Sequence, residues 1–139
     1  MNATASPTAA RPATRFAVPL GLALRLDAVV TGANGLAYLV AAGPLSDLLG
    51  LDASFLRGIG LFLLAFTAFL WRVSARTAPA AGAVLAVVAV NVAWVLGSLA
   101  LAALGHGSPS TAGTVWAVLQ AAVVGVFAEL QILALRRRA

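Results

Sequence analysis

The chain has 139 residues, of which 62% are hydrophobic and 9% are charged, and its net charge is +5. A soluble domain averages roughly half apolar and a quarter charged residues, and a chain this short has too much surface to hide the excess from water. These values exclude an ordinary soluble domain, and arginines at the ends of apolar runs suit anionic lipid rather than nucleic acid.

Residues 1–16 are small, polar and interrupted by proline, and this composition predicts that they form a disordered cytoplasmic tail. Four apolar segments follow, and each is close to or above the roughly 20 residues that a helix needs to cross a bilayer. They cover about residues 19–42, 55–73, 79–104 and 111–135. Residues 43–54 form the first connection and residues 136–139 a basic cytoplasmic end. The sequence therefore predicts an all-α integral membrane four-helix bundle over residues 17–135.

The arginines also predict the orientation of the bundle. They concentrate before the first segment, between the second and third, and after the fourth, whereas the other two connections have almost none. Because cytoplasmic loops carry the excess of positive charge, both termini are expected in the cytoplasm (N-in/C-in). We expect a multi-pass protein of the bacterial inner membrane.

The first segment contains the letters TGANG at residues 31–35, which are similar to the start of a dinucleotide-binding loop. Leu36 and Tyr38 occupy the positions of the later glycines, and no second strand follows, so no nucleotide is expected. Polar residues of this stretch recur every three or four positions, at Asp27, Thr31, Asn34 and Tyr38. That spacing predicts a polar stripe on a membrane helix.

Three of the predicted helices each carry an amide and an aromatic residue near the middle of the membrane. These residues are Asn34, Tyr38, Asn91, Trp94, Trp116 and Gln120. One interpretation is a polar pocket for a mostly apolar ligand with a polar head, such as a lipid or a quinone. The other is that the amides hydrogen-bond across helices and only hold the bundle together.

Charged residues predict ion pairs at the cytoplasmic end of the bundle. Arg25 and Glu129 are expected at comparable depth and in contact, and Asp27 is expected to meet Arg72. Such pairs would fix the vertical position of the helices. The functional alternative makes Glu129 a carboxylate that takes up and releases protons.

No catalytic constellation is visible, so we expect a protein that is not an enzyme. The chain has no cysteine and a single histidine, so no metal site is predicted and no cofactor is expected beyond a bound lipid or quinone.

The "LRLDA" letters at the start of a glycine-containing first helix, with the short connection that follows, resemble the layout of small four-helix integral membrane proteins of high-GC bacteria. The layout is similar to that of DoxX-like proteins. The resemblance covers roughly residues 20–135 and implies a membrane bundle with an accessory role beside redox or lipid chemistry.

Two functions follow from the sequence. The first is a non-catalytic bundle that binds lipid, quinone or a partner membrane protein. The second is a proton-coupled small-molecule transporter, a homodimer that uses Glu129 and is similar to the small multidrug transporters, whose first helix carries a membrane carboxylate. Replacing Glu129 by Gln separates them: a structural residue affects stability, and a proton-carrying residue affects pH-dependent binding.

Overall fold

The computed structural model describes residues 17–139, and these residues form five α-helices without any strand. The helices are α1 (Leu20–Val40), α2 (Ala42–Leu49), α3 (Ala53–Ser74), α4 (Ala81–Leu104) and α5 (Thr111–Arg136). The predicted all-α class is confirmed for this part of the chain. The predicted disordered tail, residues 1–16, lies outside the described residues.

Three helices, α3, α4 and α5, are long and apolar enough to cross a membrane on their own. The pair α1 and α2 passes the same test only when taken together, with a bend of 96° between them. The described chain therefore has three candidate spans, or four if α1 and α2 count as one. Large apolar side chains more than half exposed cover the outward faces, among them Leu36, Leu61, Leu96 and Val126.

The connection predicted for residues 43–54 contains the short helix α2. Pro44 cannot continue α1, because its ring lacks an N–H and clashes with the preceding turn, but the first turn of a new helix tolerates it. Gly50 ends α2 in the left-handed conformation, at φ 67°. Asp52 then caps α3, and its carboxylate accepts from the backbone N–H groups of Ser54 and Phe55 at 2.8 and 3.0 Å.

The start of α5 is tied to the end of α2. Ser110 is the N-cap residue, and its hydroxyl accepts from the Gly113 N–H at 3.0 Å. The same hydroxyl donates to the Leu48 carbonyl at 2.6 Å, and the Ser110 N–H donates to the Leu49 carbonyl at 2.8 Å. These bonds hold the connection between α4 and α5 against α2.

The long helices pack in two pairs, α1 with α3 and α4 with α5, and contacts between α1 and α5 join the pairs. Although α3 and α4 are consecutive, they scarcely touch. One side of the bundle is therefore a cleft between α3 and α4. Nearer the connection between α3 and α4, a buried apolar core joins α1, α3 and α4 around Leu24, Leu70 and Val84.

The pairing of α1 with α3 depends on two facing glycines. A Cβ atom at Gly60 would lie 2.8 Å from the Gly35 carbonyl oxygen, and one at Gly35 would lie 3.1 Å from the Gly60 oxygen. The two backbones approach so closely because neither residue has a side chain. Gly35, part of the TGANG letters, thus serves helix packing.

We expect Gly60→Ala to lower the free energy of unfolding by about 1–3 kcal/mol, because the added methyl group forces α1 and α3 apart. Gly58→Ala on the same helix is the matched control, since nothing lies within 4 Å of a Cβ there. That control is expected to be neutral or to stabilise by up to about 1 kcal/mol. Reversible unfolding in detergent measures both; equal effects would contradict the packing argument.

Candidate functional site

A fully buried carboxyl group lies at the centre of a polar network that joins three helices. The carboxyl oxygens of Asp27 accept hydrogen bonds from the Asn91 amide at 2.7 Å, the Gln131 amide at 2.7 Å and the Thr31 hydroxyl at 3.0 Å. Asn91 also donates to the Gln131 amide oxygen at 3.2 Å. We call these four residues the Asp27 network; each is at most 7% exposed.

The Asp27 network follows from the period of each helix. Buried residues of α1 recur every three or four positions, so Asp27 and Thr31 share the inward face. Asn91 is the last buried residue of α4, and Gln131 lies on the long buried face of α5. Because polar groups away from water need partners, the carboxyl and the two amides satisfy one another.

The structure does not contain the two predicted ion pairs. Within residues 17–139, no arginine side chain lies within 4.0 Å of a carboxylate. Asp27 faces amides rather than Arg72, because its inward position on α1 leaves it fully buried while Arg72 is exposed. Arg25 and Glu129 also remain exposed, on the outer faces of their helices.

The cleft between α3 and α4 leads into a cavity of about 420 Å³, which we call the large cavity. The side chains of Phe55, Ile59 and Phe62 form its α3 wall, and Gly97 lies on its α4 wall. Other lining residues are Tyr38, Trp94, Ser98, Trp116, Ala117 and Gln120. The walls are mostly apolar, with a few hydrogen-bonding groups among them.

A hydrogen bond between two aromatic residues fixes one polar group of the large cavity. The Trp116 indole N–H donates to the Tyr38 hydroxyl oxygen at 2.7 Å, which joins α5 to α1. The bond occupies the oxygen of Tyr38 and leaves its own O–H to donate elsewhere. Gln120 adds an amide that can both donate and accept.

A second, small cavity of about 20 Å³ lies between the large cavity and the Asp27 network. Its polar lining residues are Thr31, Asn34, Asn91, Trp94 and Gln120. It shares Thr31 and Asn91 with the Asp27 network, and Trp94 and Gln120 with the large cavity. Polar side chains therefore extend without a gap in the lining from the Asp27 network, through the small cavity, to the large cavity.

All six residues of the predicted polar pocket line one of these two adjoining cavities. Tyr38 and Trp116 line only the large cavity, Asn34 and Asn91 only the small one, and Trp94 and Gln120 line both. Gln131 belongs to the buried network but was not among the predicted site residues. Gln131 lies on the same face of α5 as Gln120, and this spacing is the sequence signal that could have identified Gln131 as an inward-facing polar residue.

The remaining candidate groups lie apart from the cavities. Glu129 lines neither cavity; it lines a separate groove between α4 and α5, which Arg136 also lines. Within residues 17–139, no three His, Asp or Glu side chains come close enough together to hold a metal ion. The chemistry that the described site offers is hydrogen bonding inside an apolar chamber.

Comparison of the chain with protein-family models, with curated proteins and with solved structures finds no match.

Proposed function

We propose that the protein is a four-span bundle of the bacterial inner membrane, with both termini in the cytoplasm, that binds a lipid-soluble molecule in the large cavity. In this arrangement α1 and α2 form one bent span. The ligand has an apolar body and a polar end with a carbonyl group, as in a quinone or an ester lipid. The protein does no chemistry on it.

The large cavity is the observation that carries the proposal. Its volume of about 420 Å³ falls within the range of roughly 300–1,000 Å³ that is typical of small-molecule sites. Its access lies between α3 and α4, whose outward faces are apolar; Phe55 and Phe62 at this wall are each 48% exposed. A ligand dissolved in lipid can enter sideways there without crossing a polar surface.

The hydrogen-bonding groups favour a carbonyl as the polar end. Trp116 holds the hydroxyl of Tyr38 in place, so the Tyr38 O–H is oriented before the ligand arrives. A pre-oriented donor costs less ordering entropy on binding. An oxygen that accepts from Tyr38 and from the Gln120 amide would satisfy both groups, while the apolar body fills the rest of the cavity.

Native mass spectrometry of the gently solubilised protein tests the proposal, with identification of any co-purified small molecule. We expect one carbonyl-containing molecule per chain, and its mass separates a phospholipid from a quinone. A dimer with nothing bound would contradict the proposal and indicate that another copy of the chain covers the cleft.

The role of Tyr38 is tested with decyl-1,4-benzoquinone, which quenches tryptophan emission. The chain has three tryptophans, and Trp71→Phe leaves only Trp94 and Trp116, which line the cavity. In this background we expect saturable quenching, and Tyr38→Phe should weaken quinone affinity about threefold to tenfold through the lost hydrogen bond.

Decylbenzene, which has the same tail and no carbonyl, serves as the matched control ligand. It is expected to displace the quinone from both forms of the protein with equal affinity. If Tyr38→Phe weakens both ligands alike, the tyrosine only shapes the cavity and the carbonyl assignment is wrong.

A further inference from the structure

The small cavity has the size and the lining of a water site. Its volume is about 20 Å³, and a cavity needs about 10–15 Å³ to hold one water molecule. A buried water also needs two to four polar partners. Five polar side chains from three helices line this cavity, namely Thr31, Asn34, Asn91, Trp94 and Gln120.

One of these side chains requires an acceptor. The indole N–H of Trp94 is buried and has no hydrogen-bond partner within residues 17–139. An indole nitrogen can only donate, and a buried donor without a partner costs the full desolvation of the group. Among the described side chains, Trp94 is the only one with such a buried unpartnered atom.

We propose that the small cavity binds one water molecule, which accepts the Trp94 N–H and joins the Asp27 network to the large cavity. The water donates its two hydrogens to oxygens among the lining groups, for which Thr31, Asn34 and Gln120 offer acceptors. The site also offers a hydrogen-bonding partner to the amides of Asn34 and Gln120, which line the small cavity.

The water would connect the buried carboxyl group of Asp27 to the large cavity through hydrogen-bonding groups. Thr31 and Asn91 both bond to Asp27 and both line the small cavity. Trp94 and Gln120 continue the same lining into the large cavity. With the water in place, hydrogen-bonding groups are continuous from the carboxyl of α1 to the place where the ligand binds.

Val124→Ile tests the water site, because Val124 is a buried apolar residue of the small cavity's wall. The extra methyl group takes the space of the water. We expect the folding equilibrium constant, measured by reversible unfolding in detergent, to fall about 5- to 30-fold as the Trp94 N–H loses its acceptor. Filling a dry void would instead raise it about fourfold.

The same substitution in a Trp94→Phe background completes a double-mutant cycle. Phenylalanine has no N–H, so the expected effect of Val124→Ile shrinks there to within about twofold of none. Stabilisation in both backgrounds would overturn the proposal, since it indicates a dry cavity. Equal losses in both would overturn it as well, since they indicate overpacking unrelated to the indole. None of these outcomes depends on whether the large cavity binds a ligand.

Discussion

Replacing Asp27 by alanine is expected to lower the free energy of unfolding by about 2–4 kcal/mol. The substitution removes the acceptor of three buried donors, the amides of Asn91 and Gln131 and the hydroxyl of Thr31. Burying a carboxyl group is itself costly, which offsets part of the loss. All three donors that remain are buried, and the single water proposed for the small cavity cannot satisfy them all, so the net effect is a large destabilisation.

Two controls separate the network from a general effect of charge. Asp27→Asn keeps one oxygen acceptor and the same shape, and the neighbouring amides can turn their oxygens toward its new N–H₂ group, so we expect a loss of only about 1 kcal/mol. Asp47→Ala removes an exposed carboxylate and should change stability by less than about 0.5 kcal/mol. Unfolding curves in detergent that show equal losses for Asp27→Ala and Asp47→Ala would refute the network's structural role.

The four long helices could be predicted from the sequence, because long apolar runs and cap residues depend on local physics, whereas the short helix α2 was predicted as part of a connection. Ser110, for example, is a residue type that favours the N-cap position, and it caps α5. The third apolar segment was predicted to begin at about residue 79, and α4 begins at Ala81. Element boundaries shift by a residue or two because several backbone groups compete to satisfy the same helix end.

The pairing of the helices could not be predicted in the same way. Consecutive helices joined by a short turn are usually neighbours, but α3 and α4 diverge. The close approach of Gly35 and Gly60 commits α3 to α1, and α4 packs on α5 instead. The chain contains several small residues, and which of them forms a close helix contact depends on how all the helices pack together. The cleft that follows from this choice was therefore not visible in the sequence.

For the polar residues, the face of the helix could be predicted from the sequence, but the bonding partner could not. The inward stripe of Asp27 and Thr31 on α1 follows from spacing alone. The partner of Asp27 was expected to be an arginine because opposite charges attract strongly in a medium of low dielectric. Long arginine side chains at helix ends can instead extend toward water, whereas Asn91 and Gln131 are held inside by their helices. Buried amides are thus the better-placed partners for a buried carboxyl.

The six residues predicted for a polar pocket were chosen for depth and helix face; depth depends on the rise of about 1.5 Å per residue, and the face on the period of about 3.6 residues. They do come together in space, in two cavities rather than one. The division arises from bulky apolar residues such as Phe62 and Val90, which line both cavities. The alternative of amides as packing groups also has a basis in the structure, since Asn91 bonds to two neighbouring helices.

Blocking the large cavity is expected to have the largest effect on binding. Gly97 lines the cavity on α4, and nothing lies within 4 Å of a Cβ built there. Gly97→Leu should therefore fold normally while its side chain takes up space that the ligand needs. We expect the affinity for decyl-1,4-benzoquinone to fall at least about tenfold, equivalent to about 1.4 kcal/mol, when it is measured by quenching of Trp94 and Trp116.

Gly82→Leu is the matched control for this experiment. Gly82 lies on the same helix, a Cβ there also meets nothing within 4 Å, and the residue does not line the large cavity. It should leave quinone affinity unchanged, because the new leucine points away from the ligand's place and adds apolar surface only where lipid is expected. If Gly97→Leu leaves quinone affinity as unchanged as Gly82→Leu does, the quinone reaches the tryptophans through the surrounding lipid or detergent, and the large cavity is not its binding site. If Gly97→Leu alone weakens quinone affinity, the large cavity is the binding site.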